Sequence, residues 1–238
     1  MRTAILCIET STKVCSVALV ECGETIHESI NYEGQNHAKL LGPFIDQALS
    51  EAKQLGLTLC AVAVSAGPGS YTGLRIGVSV AKGLCYGLDL PLIAIPTLAI
   101  MTANAKAING NQPGFYRPLM DARRMEVYTG LFTSPAEQVE PTRAEVITTE
   151  SFANELAENK IYFFGNGAPK CQSTLTHPHA HWIENSIPRA SSMAKLADTA
   201  FATQDFVNVA YFEPFYLKEF RAIVGKNKVL SNLTPLKK

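Results

Sequence analysis

The chain has 238 residues, with 21 basic and 21 acidic side chains, so its formal net charge is zero. This balance argues against a protein that binds nucleic acid on its own, which normally requires a basic face. A content of 47% hydrophobic and 18% charged residues excludes a disordered chain, and the length suits two lobes. No apolar stretch reaches the length of a membrane span.

Cysteine usage and the first residues predict a compartment. The six cysteines show no Cys-x-x-Cys spacing, and Met1 leads directly into a strand rather than into a leader with a cleavage site. We therefore expect a protein of the reducing cytoplasm, with no membrane partner.

The first half of the chain has a clear order of elements. Residues 4–8 and 15–20 are apolar runs that read as strands, and 24–30 reads as a third strand; their short connections predict a three-stranded meander. Apolar spacing then predicts a helix over 37–52, a buried strand over 60–64, a second helix that begins near 70–72 and a strand over 92–95. Three antiparallel strands, a helix, a parallel strand, a helix and a strand form the order of a ribonuclease-H-like lobe.

The second half gives fewer signals. Residues 115–120 and 126–132 look like neighbouring strands around the turn Asp121-Ala122-Arg123-Arg124. Residues 161–164 read as a strand that ends in the turn Gly165-Asn166-Gly167, and 191–203 reads as a helix opened by a Ser cap. The Asp121 turn either orders a phosphate or a partner's carboxylate through its arginines, or is a plain hairpin turn stabilised by Asp121.

A glycine-rich loop follows the strand at 60–64 and opens the second helix. It has no lysine after its glycines, which excludes a P-loop, and its glycines are spaced one residue too wide for a dinucleotide fingerprint. The backbone N–H groups at the start of the helix could bind an anion. Alternatively, the loop is a tight turn whose glycines only let the helix pack against its strand. The candidate nucleotide or anion contacts are Thr10, Ser11, Gly67, Gly69, Ser70, Thr72 and Arg75.

The second helix carries small residues at every fourth position. This stripe would let another helix approach closely, although packing inside the same lobe explains it equally well. With the apolar residues of the first helix it predicts a partner interface, and homodimers when the partner is absent. The predicted interface residues are His37, Leu40, Leu41, Phe44, Gly73, Gly77, Ala81 and Cys85.

Histidines give no metal site. Leu41 stands four residues after His37, so the paired histidines of a helical metal site are absent and His37 reads as a surface or capping residue. His177, His179 and His181 would face one side of an extended segment, but Pro178 favours a loop. We predict no physiological metal.

Three motifs together resemble the TsaB (YeaZ) family. They are Ile8-Glu9-Thr10-Ser11-Thr12, the loop Gly67-Pro68-Gly69-Ser70-Tyr71-Thr72-Gly73-Leu74-Arg75, and Asp121-Ala122-Arg123-Arg124 followed by Met125, where the family usually has Gly. The resemblance implies an α/β fold with two ribonuclease-H-like lobes of the actin-like ATPase (ASKHA) superfamily. We accordingly expect a first, partner-binding lobe over 1–98, with 205–238 as its candidate completion, and a second, degenerate lobe over 99–204.

The resemblance also implies a function. Family members are non-catalytic scaffolds that pair with the catalytic subunit TsaD, with the ATPase TsaE completing the assembly that forms threonylcarbamoyladenosine beside the tRNA anticodon. It implies contact with tRNA through the complex, no cofactor of its own, and ATP or ADP at the interface of the assembled complex. Glu9 stands where nucleotide-binding relatives carry Asp.

Two other functions remain open. One is an actin-like ATPase or small-molecule kinase that acts alone, which the missing phosphate elements of the second lobe disfavour. The other is a peptidase, for which the chain has neither a Gly-x-Ser-x-Gly elbow nor paired histidines.

Overall fold

A computed structural model describes residues 2–34 and 36–217. The first lobe is a five-stranded sheet with strand order β3-β2-β1-β4-β5, in which β1–β3 are antiparallel and β4 and β5 run parallel to β1. This confirms the predicted ribonuclease-H-like order. The elements of this half are β1 (Thr3–Glu9), β2 (Cys15–Glu21), β3 (Glu24–Asn31), α1 (His37–Gln54), β4 (Thr58–Ser65), α2 (Tyr71–Leu88) and β5 (Leu92–Ile95).

Alternation along β1 explains why both faces of this sheet are covered. Leu6 and Ile8 pack in one cluster with residues of α1 and α2, whereas Ile5 and Cys7 pack in a second cluster on the opposite face. Because successive side chains of a strand point to opposite faces, an almost wholly apolar strand requires a layer of helices on each side.

The second lobe repeats the same topology in a more irregular form. Its elements are α3 (Thr97–Ile108), β6 (Phe115–Pro118), β7 (Met120–Asp121), β8 (Glu126–Ser134), β9 (Glu137–Val146), α4 (Ala153–Glu158), β10 (Ile161–Phe164), α5 (Ala168–Cys171) and β11 (Ala180–Ile183). The predicted strand over 115–120 is interrupted at Leu119, whose N–H donates to the carbonyl of Phe164 in β10. Since β8 pairs with both β6 and β7, the two pieces act as one strand, and β9-β8-β6/β7-β10-β11 repeats the order of the first sheet.

The chain then returns to the first lobe. A 3-10 segment (Ala190–Met193) and α6 (Ala194–Ala202) pack on the first sheet, in the cluster that contains Ile5 and Cys7. The predicted second-lobe boundary at residue 204 is therefore wrong, because this helix completes the far layer of the first lobe. The start of the 3-10 segment is held by Glu28, which accepts a hydrogen bond from the backbone N–H of Ser191 and forms an ion pair with Arg189.

The segment after α6 also lies on the first lobe, and we call residues 205–217 the strap. Val207 bridges to Leu92 of β5, and the N–H of Phe215 donates to the carbonyl of Ala66 at 2.7 Å. Lys82 of α2 donates to the carbonyls of Ala210 and Phe212 at 3.0 and 3.1 Å. The rest of the predicted completion, 218–238, lies outside the described residues. No helix in the described part of the chain has the length and apolar character needed to cross a membrane.

Candidate functional site

The loop between β4 and α2 is filled by the turn that joins β1 to β2. The carbonyl of Ser11 accepts from the N–H of Ser70 at 2.6 Å, and a Cβ added at Gly69 would lie 2.5 Å from that carbonyl oxygen. A Cβ added at Gly73 would collide with the Thr10 carbonyl, and one at Gly77 with the Thr10 hydroxyl. The glycines are therefore required for the close approach of the chain's own backbone.

The start of α2 is well organised. Ser70 is its N-cap and accepts the N–H of Gly73 at 3.2 Å. Gly67, with a φ of +99°, donates its N–H to the Thr97 hydroxyl at 3.2 Å, and Phe215 of the strap closes over it. Only glycine tolerates both this conformation and this contact.

The structure brings the predicted anion contacts together but buries three of the seven. Thr10, Ser11 and Gly67 are buried and Gly69 is half-buried, whereas Ser70, Thr72 and Arg75 remain exposed. Arg75 donates to the Tyr71 hydroxyl at 2.9 Å and lies over the same ring. Nucleotide binding stays a prediction, and the arrangement restricts it to the three exposed residues unless the β1–β2 turn moves.

A cluster of unsatisfied polar atoms lies beneath this turn. The Oε2 atom of Glu9 and the hydroxyls of Thr10 and Ser11 are buried without a hydrogen-bond partner among the described residues. Oε1 of Glu9 accepts the N–H of Ser11. Burial raises the pKa of Glu9 to about 7, and hydrogen bonding to Ser11 and Ser65 limits the rise. Glu9 therefore lies inside the lobe and not in an open metal or nucleotide site.

Six of the eight predicted interface residues face the interior, one of them being His37, which is buried. Leu41, Ala81 and Cys85 belong to the core of the first lobe, and Gly73 and Gly77 face the β1–β2 turn. Of the two explanations that the sequence left open for the small-residue stripe, packing inside the same lobe is the one that the structure shows. The four-residue spacing serves packing within the lobe, where the turn at Thr10 needs the room that small residues leave.

The outer surfaces of α1 and α2 have a different set of residues. We call them the helical face: Leu40, Gly42, Pro43, Phe44, Ile76, Val80, Gly83, Leu84, Tyr86 and Gly87. Tyr86 is 88% exposed, Leu40 and Phe44 are half-buried, and a Cβ at Gly83 or Gly87 would meet nothing within 4 Å. Leu40 and Phe44 are the two residues of the predicted interface that this face retains.

The histidines are held by backbone contacts. His37 is buried and its Nε2 lies 3.2 Å from the carbonyl of Val14, so it is neither a surface residue nor a helix cap. His179 bonds through Nδ1 to the carbonyl of Leu156 at 2.8 Å, and His181 lies on β11 beside the Tyr162 ring. Within residues 2–34 and 36–217, no three His, Cys, Asp or Glu side chains form a cluster that could hold a metal ion.

The second lobe has its own counterpart of the turn and loop. The Asp121 turn joins β7 to β8, and Asn166 accepts the N–H of Asp121 at 3.0 Å. Gly167 donates to the carbonyl of Leu119, and a Cβ on Gly167 would lie 2.8 Å from that oxygen. Gly165-Asn166-Gly167 thus forms the predicted turn, and it supports the Asp121 turn.

Sequence reasoning missed two features that shape this region. It did not identify Lys82 as the residue that holds the strap, because a lysine in an amphipathic helix looks like any solvated charge. It also did not identify β9, which pairs along β8 and contributes Gln138, Pro141 and Thr142 to a cavity of about 320 Å³ beside Gly67. Charged residues recur across 137–146, so this segment lacks the apolar pattern that predicts a strand.

Comparison with known proteins identifies relatives. The family described as TsaD, tRNA N6-adenosine threonylcarbamoyltransferase, matches residues 25–222. The chain is 32% identical over 225 residues to the tRNA threonylcarbamoyladenosine biosynthesis protein TsaB of Haemophilus influenzae, covering 90% of this chain and 93% of that protein. It is 38% identical over 128 residues to TsaB of Bacillus subtilis, or 54% of each chain.

Solved structures agree with the sequence matches. YeaZ from Pseudomonas aeruginosa has a TM-score of 0.73 at 28% identity, covering 90% of this chain and 100% of that one. A further Pseudomonas aeruginosa protein, described as similar to the peptidase YeaZ, has a TM-score of 0.76 at 27% identity, covering 91% of this chain and 100% of that one. The sequence and structure matches each cover about nine-tenths of this chain, which therefore belongs to the TsaB (YeaZ) family.

Proposed function

We propose that this protein is a non-catalytic subunit in the formation of threonylcarbamoyladenosine beside the tRNA anticodon, pairing with a TsaD-type catalytic subunit. A TsaE-type ATPase completes the assembly. The observation that carries the non-catalytic part is the closure of the α2 N-terminus by Thr10 and Ser11, which fill the space where a bound phosphate would approach the helix. Membership of the TsaB (YeaZ) family supports the assignment to threonylcarbamoyladenosine formation.

The buried groups of the first lobe support a scaffold role. Glu9 is fully buried, and its free oxygen faces no solvent-accessible cleft, so it has no route to a substrate. A general acid or base must reach the proton that it transfers, directly or through one water. The polar residues of the first motif therefore serve the packing of the β1–β2 turn against α2 in this chain.

The helical face is the surface that we assign to the partner. Its glycines leave open space around the exposed ring of Tyr86, and its half-buried apolar residues pack against the core of the lobe. Aromatic residues that are surrounded by apolar surface are enriched in the centres of protein interfaces. The same face would form homodimers in the absence of the partner. In the assembled complex, exposed Ser70, Thr72 and Arg75 would contact ATP or ADP at the interface.

The test is reconstitution with the TsaD-type subunit of the same organism. Masses are read by light scattering and threonylcarbamoyl transfer is assayed in parallel. We expect a heterodimer whose activity needs this chain, and we expect Gly83→Arg or Tyr86→Glu to reduce pairing at least about tenfold. Both positions are open to solvent, so the substituted chains should fold.

Asn154→Arg, on an exposed position of α4 in the second lobe, is the matched control and should pair normally. Failure of the native chain to pair, together with ATP hydrolysis by the chain alone, would replace the proposal by the ATPase or kinase alternative. Normal pairing by both helical-face variants would retain the function and move the interface elsewhere.

A further inference from the structure

The Asp121 turn carries two arginines that differ from the others. Among the residues that the structure describes, Arg2, Arg117, Arg143 and Arg189 form ion pairs with glutamates, and Arg75 donates to a tyrosine hydroxyl. Arg123 and Arg124 are exposed, and no acceptor in the described chain lies within hydrogen-bond distance of either guanidinium group.

The turn that holds them is firmly built. Arg123 N–H donates to Oδ1 of Asp121 at 3.0 Å, and Ala122 and Glu126 close the turn through bonds at 3.0 and 3.1 Å. Both arginines have a positive φ, 74° for Arg123 and 49° for Arg124. Non-glycine residues rarely adopt this conformation, and two in succession are kept only where the surroundings impose them.

Lys170 of α5 supplies that constraint. Its ammonium group forms an ion pair with Asp121 and donates to the carbonyl of Glu126 at 2.7 Å, so it ties the two ends of the turn together. Because Lys170 neutralises Asp121, this carboxylate does not compete for the neighbouring arginines. Pre-organised guanidinium groups lose little freedom when they bind, which favours a ligand over an empty surface.

Backbone donors add to the site. Within the described residues, no acceptor lies at bonding distance from the N–H of Arg124 or Met125. Successive free N–H groups in a left-handed turn form a concave site for an anion, and the planar fork of arginine matches the oxygens of a phosphoryl group. The first-lobe counterpart is buried at Thr10 and Ser11, and it contains a single cation, Lys13, and no arginine.

We propose that the turn from Asp121 to Glu126 binds a phosphoryl group through Arg123 and Arg124. The phosphoryl group comes either from an RNA backbone, a source that rests on the proposed function, or from a free nucleotide. The chain has no net charge, so this is a local contact that positions the ligand and is not an extended basic surface.

The experiment compares the native chain with R123Q/R124Q, each assembled with the TsaD-type subunit. Glutamine keeps most of the aliphatic stem and removes the charge. The control is K53Q/K195Q, which removes two charges from exposed side chains that make no described hydrogen bond. An unmodified tRNA transcript is titrated from about 50 to about 300 mM KCl, and ATP is titrated by calorimetry.

We expect R123Q/R124Q to weaken one of the two probes about tenfold and the control to leave both unchanged. Loss of tRNA affinity, with a salt slope reduced by about one to two, identifies RNA as the source. Loss of ATP affinity alone identifies the nucleotide. Unchanged affinity for both probes overturns the proposal, as does a loss of subunit pairing at unchanged affinities, which would assign the arginines to a protein carboxylate.

If the native chain does not pair, the proposed function fails, and the same titrations are run on the chain alone. Binding that the double substitution abolishes then supports the phosphoryl site independently. Absence of binding by the native chain overturns it.

Discussion

Replacing Glu9 by Gln is expected to stabilise the protein above neutral pH and to leave its stability nearly unchanged at about pH 5. Glu9 is fully buried, and one of its oxygens has no partner. The amide of Gln can still accept the N–H of Ser11 through its oxygen, and it carries no charge at any pH. The substitution therefore removes the cost of ionisation while keeping the packing of the turn.

The magnitude follows from the shift of the pKa. Burial raises the pKa of Glu9 from 4.5 to about 7, so the unfolded chain releases this proton more readily than the folded one. The free energy of unfolding of the native chain is therefore highest below pH 4.5, falls as the pH rises, and levels off above about pH 7. A shift of this size corresponds to about 3 kcal/mol at about 1.4 kcal/mol per pKa unit.

Urea unfolding followed by circular dichroism between about pH 5 and about pH 8 measures this difference. The free energy of unfolding of Glu9→Gln should exceed that of the native chain by up to about 3 kcal/mol at the alkaline end. Glu158→Gln, at an exposed position of α4, is the control and should not change the profile. A Glu9→Gln advantage that is equal at both ends of the pH range would refute the reasoning, because it could not arise from ionisation.

Three further tests concern the packing. Gly77→Ala should lower the free energy of unfolding by about 2 kcal/mol because its Cβ meets the β1–β2 turn, whereas Gly83→Ala in open space should raise it by about 0.5–1 kcal/mol; urea denaturation compares them. Arg117→Ala should cost about 3 kcal/mol in thermal unfolding because it leaves Glu155 unpaired, leaves Glu140 with Arg143 alone and opens a cavity, and Arg117→Met, which preserves volume, should cost less. Lys82→Met should release the strap and speed chymotrypsin cleavage at exposed Tyr211; unchanged cleavage would show that the apolar contacts hold it alone.

Local pattern was sufficient for most of the first lobe. β2, β3 and α1 occur within a residue or two of their predicted ends, and β5 agrees at both ends. Except for β3, which is mostly polar, these elements have either apolar runs or a clear helical period, so local sequence and tertiary burial agree. The second lobe carries weaker signals, since β9 has no buried residue and its Glu140 pairs both with Arg117 of β6 and with Arg143 of β9 itself.

The sequence predicted which residues of the candidate site lie together, but not that its glycines face the chain's own turn. The motif residues Thr10, Ser11 and Gly69 do come together, as the spacing of strand, loop and helix indicated. Whether the glycines open a cradle or admit the chain's own turn depends on residues about sixty positions away. A one-dimensional pattern of small residues cannot distinguish these cases, because either partner requires the same absence of side chains.

The sequence by itself determined the strand and helix order of the first lobe, the N-cap of α2 and membership of a family through three short motifs. These depend on neighbours in the chain or on residue types that few backbones accept. Only the tertiary structure decided that Gly77 faces Thr10, that α6 and the strap return to the first sheet, and that Lys170 neutralises Asp121 beside two unpaired arginines. The physical reason is that burial and charge pairing are set by contacts between distant segments, whose register no local period encodes.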